Sequence, residues 1–281
     1  MKLVRYGAEG HEKPGAIDAE GGLRDLSDIV TDLDAETLAP ARLAELIKID
    51  PATLPHVAGQ HRFGPCVPRP LNFVCIGLNY ADHAAETGAP IPKEPIIFLK
   101  SLSAFVGPNE DVRIPRGSTK TDWEVELGVV IGSLARYVPE HDAMDHVAGY
   151  CVINDVSERE YQTERGGQWD KGKGCDTFGP TGPWLVTKDE VPDPQNLSLW
   201  LEVDGKRMQD GNTRTMIFDV RKLVSYVSHF ITLHPGDIIS TGTPPGVAMG
   251  MKPTPIYLKA GQTMRLGIDG LGVQEQRTVA G

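Results

Sequence analysis

The sequence predicts an α+β fold, and three observations carry that prediction. Extended segments outnumber helical ones, the helical stretches are few and well separated, and no strand–helix–strand repeat runs along the chain. Gly (31) and Pro (22) together supply about a fifth of the 281 residues. That many turn formers suits short strands and stays below the level that marks disorder.

The elements follow in order. Residues 2–6, 15–18 and 23–26 read as brief strands punctuated by Gly7, Gly10, Gly21 and Gly22. Leu43, Leu46 and Ile47 have the i, i+3, i+4 spacing of a helix face, and Pro51 stops that helix. Pro65, Pro68 and Pro70 then crowd a short stretch that can be neither helix nor central strand. A domain boundary belongs there, giving a small β-rich N-terminal domain over 1–68 and a second domain over 69–281. Beyond it, 73–77 is a short apolar strand and 80–87 allows about two turns of helix. Pro90, Pro92 and Pro95 forbid regular structure until the strand 96–99. The clearest strand is 123–131, where Trp123, Val125, Leu127, Val129 and Ile131 share one face by the period of two. A short helix over 140–147 and a strand over 150–154 come next. Ser157 with Glu160 three residues on reads as a capping box that starts a helix. The best helix is 219–231, with Val220, Leu223, Val224, Val227 and Ile231 in one stripe and Asp219 as its cap. Residues 238–240, 256–258 and 264–268 read as further strands.

Composition excludes several classes. Lys and Arg number 28 against 38 Asp and Glu, a net charge of −10. No basic cluster offers a phosphate backbone a footing, so nucleic acid is not an expected partner. No run of eighteen apolar residues exists to cross a membrane, and the N-terminus lacks the apolar core of a secretory signal. Cys66, Cys75, Cys151 and Cys175 form no CxxC pair, which reads as reduced thiols and a cytoplasmic location.

Several side chains could carry chemistry. Glu124 and Glu126 lie opposite the apolar face of the 123–131 strand, about 7 Å apart along it. By itself this pair also fits the solvated face of an edge strand. Asp155 ends the apolar 150–154 strand, where a buried charge is costly unless partnered. It is either a strand-end cap or a third carboxylate. Three carboxylates without clustered Cys or His make a hard oxygen site for Mg2+, Mn2+ or Ca2+. His83 and Glu86 share a helix face at i, i+3, which suits an oriented general base and equally a plain surface pair. Gly167, Gly172 and Lys173 fit GxxxxGK, but Gly174 stands where a P-loop needs Ser or Thr, so a P-loop is rejected. Lys173 remains a cation in a glycine-rich loop. The 240–247 segment could bind a carboxylate through its threonines and backbone N–H groups, or be a plain turn. Cys175 has no partnered His near it in sequence and reads as a packed thiol. Neither a GxSxG elbow nor a GxGxxG fingerprint is present.

Five segments in this order, from about Phe73 to the C-terminus, resemble the fumarylacetoacetate hydrolase family. They are Gly77-Leu-Asn-Tyr-Ala-Asp-His83 with Glu86, Trp123-Glu-Val-Glu126, Asn154-Asp-Val-Ser-Glu-Arg159, Lys173-Gly-Cys-Asp-Thr177 and Thr241-Gly-Thr-Pro-Pro-Gly246. The resemblance implies layered, rolled β-sheets and a homodimer. It implies metal ligation by Glu124, Glu126 and Asp155, and a catalytic dyad of His83 and Glu86. Lys173 would face the substrate, with Arg159, Gln162 and Thr243 in contact with it. The N-terminal segment and Asp170-Lys-Gly-Lys-Gly-Cys-Asp-Thr-Phe-Gly179 resemble the branch that hydrolyses 2,4-diketo-3-deoxy sugar acids. The implied reaction is metal-dependent cleavage of a C–C bond in a 2,4-diketo acid, an acylpyruvate or such a sugar acid, releasing pyruvate and a carboxylic acid. Ureidoglycolate lyase, oxaloacetate decarboxylase and 2-hydroxyhepta-2,4-diene-1,7-dioate isomerase activities are the alternatives, since all can use one enolate-stabilising site. Several relatives have Phe where this chain has Cys175, so pocket shape does not transfer there. Three carboxylates and a divalent ion leave a net −1, which gives Lys173 a use when an anionic substrate binds.

Overall fold

The computed structural model describes residues 1–281. Strands β1 (Lys2–Tyr6), β2 (Lys13–Ile17) and β3 (Leu23–Asp25) open the chain, followed by helix α1 (Pro40–Leu46). Strand β4 (Phe73–Gly77), helix α2 (Ala81–Thr87) and strand β5 (Ile96–Leu99) come next. The short strands β6 (Phe105–Val106), β7 (Val112–Ile114) and β8 (Thr121–Asp122) lead into β9 (Val125–Ile131) and β10 (Val147–Asn154). After β11 (Ser157–Glu158) and helix α3 (Asp170–Lys173) come β12 (Gly179–Thr187) and the hairpin β13 (Ser198–Val203) and β14 (Lys206–Asn212). Helix α4 (Val220–Ser228), β15 (Ile238–Ser240), β16 (Thr263–Ile268) and β17 (Gly272–Ala280) complete the fold.

A ten-stranded mixed sheet runs β3-β2-β1-β12-β10-β9-β15-β4-β5, with β6 beside β12. The segment 1–68 thus contributes β1 to β3 to the sheet that holds β9, through pairing of Lys2 with Val186. A second sheet runs β14-β13-β16-β17-β7. The face of β9 carrying Val125, Leu127, Val129 and Ile131 packs with Leu199, Leu201 and Leu266 of this second sheet and with α4. The opposite face, at Val130, Cys151 and Ile153, packs with Leu26, Leu33, Leu38 and Leu46 from the N-terminal segment. Both faces of β9 are therefore covered. The solvated edge strand that the glutamate pair also allowed does not occur: β9 is central, and Glu124 and Glu126 are buried.

Three sequence expectations are corrected. Ser157 lies in β11 and gives its hydroxyl to Asp155 O, 3.0 Å away, so no capping box forms. The helical turn that follows is a single wide turn over Glu160–Glu164 without a side-chain cap. Residues 256–258 form no strand. Strand β12 includes Pro180 and Pro183, and its pairing with β10 shifts register between Tyr150 and Val152. Helix α4 closes at Ser228, three residues short of the sequence boundary, while Asp219 caps it by accepting from Lys222 N at 2.7 Å.

Candidate active site

The register of the two central strands assembles the carboxylates. Antiparallel pairing sets Ile153 opposite Glu126 and Asn154 opposite Val125. Asp155 follows directly, and its backbone N–H donates to Glu124 O at 2.9 Å. Asn154 Oδ1 accepts from the Glu124 N–H at 3.2 Å, which holds Glu124 at the mouth of β9. One oxygen each of Glu124, Glu126 and Asp155 lies within 4.8 Å of the others, all three residues being buried.

Cations surround two of the three. Lys173 reaches in from α3, its Nζ donating to Glu124 Oε2 at 2.6 Å and Asp155 Oδ2 at 2.8 Å. Arg159 donates from Nη2 to Glu124 Oε1 at 2.7 Å, from Nε to Asp122 Oδ2 at 2.8 Å and from Nη1 to Gln162 Oε1 at 3.0 Å. The helix face that pairs Arg159 with Gln162 is thus a contact, although the turn is not a regular α-helix. Two participants escaped the sequence reading. Lys100 Nζ lies 2.6 Å from Asp155 Oδ1 and donates to Val156 O and Lys173 O. A charge closing the apolar strand 96–99 was the available signal, the same one that singled out Asp155. Asp122 accepts from Arg159 and from the backbone N–H groups of Ala248 and Met249. Apart from the adjacent Trp123 N–H, its partners lie 37 to 127 residues away in sequence, and no local pattern marks it.

The charge balance is revised accordingly. Four buried carboxylates face three buried cations, not the one cation counted from sequence. Burial by itself would raise the Glu124 carboxyl, but Lys173 and then Arg159 overcome it and hold the pKa at about 2. Burial opposes charge on Lys173 as well, and Asp155 and Glu124 reverse that and raise its pKa. Glu126 has no cation within ion-pair distance. Burial, then Asp155 and Glu124, push its carboxyl well above the ordinary range. With Glu126 protonated the cluster is neutral. A divalent ion that displaces that proton leaves a net positive site, suited to an anionic ligand.

The loop after β15 does bind a carboxylate, and it is the chain's own. Glu126 Oε2 accepts from Ser240 Oγ at 2.6 Å and from Gly242 N at 2.8 Å. Gly242 has φ +95, and a Cβ there would lie 2.8 Å from Asn79 Cβ, so only glycine brings its N–H to Glu126. The threonine hydroxyls serve β9: Thr241 donates to Leu127 O at 2.8 Å and Thr243 to Val125 O at 2.9 Å. Thr243 also accepts from Gln209 Nε2 at 2.8 Å, leaving its oxygen rather than its proton to face the cavity.

Helix α2 sets the remaining pair. His83 Nδ1 and Glu86 Oε2 are 3.1 Å apart, as i, i+3 spacing requires. Glu86 is fixed from behind by Gly246 N, 3.1 Å from its Oε1. Gly246 has φ +103, and a Cβ would meet Met208 O at 2.0 Å. His83, Glu124, Glu126, Lys173, Arg159 and Gln162 line one cavity of about 250 Å3, with Thr243 also on its wall. Glu86 and Asp155 stand behind that wall and act on it through His83 and Lys173. Cys175 is half-buried, and burial pushes its thiol up to about 11, in keeping with a packed group rather than a nucleophile.

The donor set fits a hard divalent cation. Three buried carboxylates with oxygens within 4.8 Å of one another, and no Cys or His among them, are the oxygen donors such an ion takes. Glu124, Glu126 and Asp155 would hold it. Sequence comparison agrees with this architecture. Residues 72–279 match the model of the fumarylacetoacetate hydrolase C-terminal domain. The chain belongs to the fumarylacetoacetate hydrolase family. It is 66% identical over 278 residues to a Burkholderia ambifaria relative whose name gives only the broad class hydrolase, covering 99% of each chain. The fumarylacetoacetate hydrolase of psychrophilic Exiguobacterium antarcticum superposes with a TM-score of 0.88 at 34% identity over 100% of both chains. Maleylpyruvate hydrolase from Sphingobium sp. SYK-6, solved with manganese(II) and pyruvate, gives 0.82 at 28% identity over 100% of both. A 2-hydroxyhepta-2,4-diene-1,7-dioate isomerase from Mycobacterium marinum gives 0.76 at 32%, over 100% of this chain and 98% of that one. No helix is long and apolar enough to cross a membrane.

Proposed function

We propose that this member of the family hydrolyses the C3–C4 bond of a 2,4-diketo acid, with Mg2+ or Mn2+ on Glu124, Glu126 and Asp155. The observation that carries the reading is the buried carboxylate triad, whose Glu124 and Glu126 line the same cavity as His83. A bound cation would supply Lewis-acid polarisation of the substrate's carboxylate and 2-oxo group. The chain's own groups do the rest. Gln162, Arg159 and Lys173 meet the anionic end, Lys173 keeping its proton because Asp155 and Glu124 hold it charged. His83, oriented by Glu86 through Nδ1, takes a proton at Nε2 from a water that attacks C4. The C3–C4 bond breaks, its electron pair passing to C3 and onward to the 2-oxo oxygen as an enolate. Lys173 stabilises that charge. A proton returned to C3 gives pyruvate, and the water oxygen leaves in the carboxylic acid.

The assay is pyruvate release from an acylpyruvate, with Mg2+ and after chelation. Metal-dependent pyruvate formation is expected. Ketonisation or isomerisation of the substrate without carbon–carbon cleavage would replace this reading by the isomerase one, which the Mycobacterium marinum structure makes the second choice.

A further inference from the structure

Every cation on the cavity wall is already committed to its carboxylate end. Lys173 is bonded to Glu124 and Asp155, and Arg159 to Asp122 and Glu124. His83 is engaged by Glu86. The rest of the wall includes a continuous apolar surface. Trp169 lies on Gly77, whose missing Cβ would come 2.4 Å from Trp169 Cζ3 and 3.5 Å from Ile96 Cγ2. Phe98 meets Trp169 edge-on at 5.5 Å between ring centroids, and Lys173 Nζ stands 5.0 Å over the Phe98 ring. Phe98 thus marks the border between the polar floor and the apolar surface. Met249 lines the same cavity, held by its backbone on Asp122.

We infer that the site selects a monocarboxylic 2,4-diketo acid whose acyl group is short, uncharged and ends in an apolar group, and that it rejects the corresponding dicarboxylic acid. The inference rests on the hydrolase reading above and adds the identity of the acyl end. A carboxylate beyond C4 would lie against Ile96, Phe98 and Trp169 with no free cation to meet it. A polar group left unpaired against apolar walls is discriminated against far more strongly than a missing methylene. At about 250 Å3 the cavity is also smaller than the usual range for drug-sized ligands.

A matched pair tests this. Butyrylpyruvate (2,4-dioxoheptanoate) and succinylpyruvate (the same seven-carbon chain ending in a second carboxylate) differ only in methyl against carboxylate. With the full chain and Mg2+, kcat/KM for the monoacid is expected to exceed that for the diacid by about 100-fold or more. Met249→Lys places a cation at the half-exposed edge of the apolar surface and is expected to narrow that ratio at least tenfold by raising diacid turnover. Equal kcat/KM within threefold in the wild type, or a preference for the diacid, overturns the inference. Calorimetric binding of both acids to the Mg2+-loaded protein separates the two readings. Tighter binding of the monoacid without pyruvate release from either acid refutes the hydrolase reading and leaves the apolar acyl site standing. Equal binding refutes the acyl-site inference whatever the turnover.

Discussion

Replacing Glu126 by Gln is expected to strengthen the metal-free fold and to abolish metal binding at once. The three carboxylates place oxygens within 4.8 Å of one another. At an effective dielectric of about 20, each like-charged pair at that distance costs about 3.5 kcal/mol. Lys173, Lys100 and Arg159 offset this for Glu124 and Asp155. Glu126 has only the neutral donors Ser240 and Gly242, which a Gln carbonyl oxygen can keep. The amide is neutral at every pH, so it removes the cost of keeping Glu126 protonated or of ionising it there, and it turns an N–H toward the other two. After allowance for imperfect geometry, the gain is about 1–3 kcal/mol at pH 8, or several degrees in Tm. The sign with pH follows from the raised carboxyl. A group whose pKa is higher folded than unfolded gives stability that is present below the unfolded value and is lost as pH rises through the folded one. Wild type therefore loses stability on going from pH 5 to pH 8 in EDTA, and the variant does not, so the gap between them opens upward in pH. Thermal melts in EDTA at both values, with calorimetry of Mn2+ binding, measure all of this. A variant less stable than wild type at pH 8, or one that keeps wild-type Mn2+ affinity, would refute the reasoning.

Three further outcomes follow from the same geometry. Lys173→Met leaves Glu124 and Asp155 short of a buried partner and is expected to cost about 3–5 kcal/mol in EDTA; urea unfolding no different from wild type would show that Lys173 does not hold the cluster together. His83→Ala is expected to lower kcat for acylpyruvate hydrolysis by about 10²–10⁴-fold while sparing oxaloacetate decarboxylation, which needs no water at C4; equal collapse of both reactions would remove His83 as the water-activating base. Metal binding is expected to release protons, because Glu126 must give up a proton that its surroundings hold; calorimetry in buffers of different ionisation enthalpy reads this directly, and an observed heat independent of the buffer's ionisation enthalpy would contradict it.

The sequence by itself determined what lies within a few residues of itself. The period of two put Glu124, just before β9, and Glu126, within it, on one side of the chain, and i, i+3 spacing joined His83 to Glu86, because both follow from backbone geometry alone. The ordered motifs likewise carried the family. A local pattern misled where tertiary pairing prevailed: Ser157 and Glu160 look like a cap but lie in and beside β11. Tertiary structure alone decided that β9 has no solvent face, since its burial depends on a second sheet and an N-terminal segment far away in sequence. It alone recruited Lys100 and Asp122, and it turned Lys173 and Arg159 from free cations into partners of the buried carboxylates. Ion pairs between elements depend on which strands and helices become neighbours, and periodicity along one segment carries no record of that. The charge of the site was therefore settled by packing.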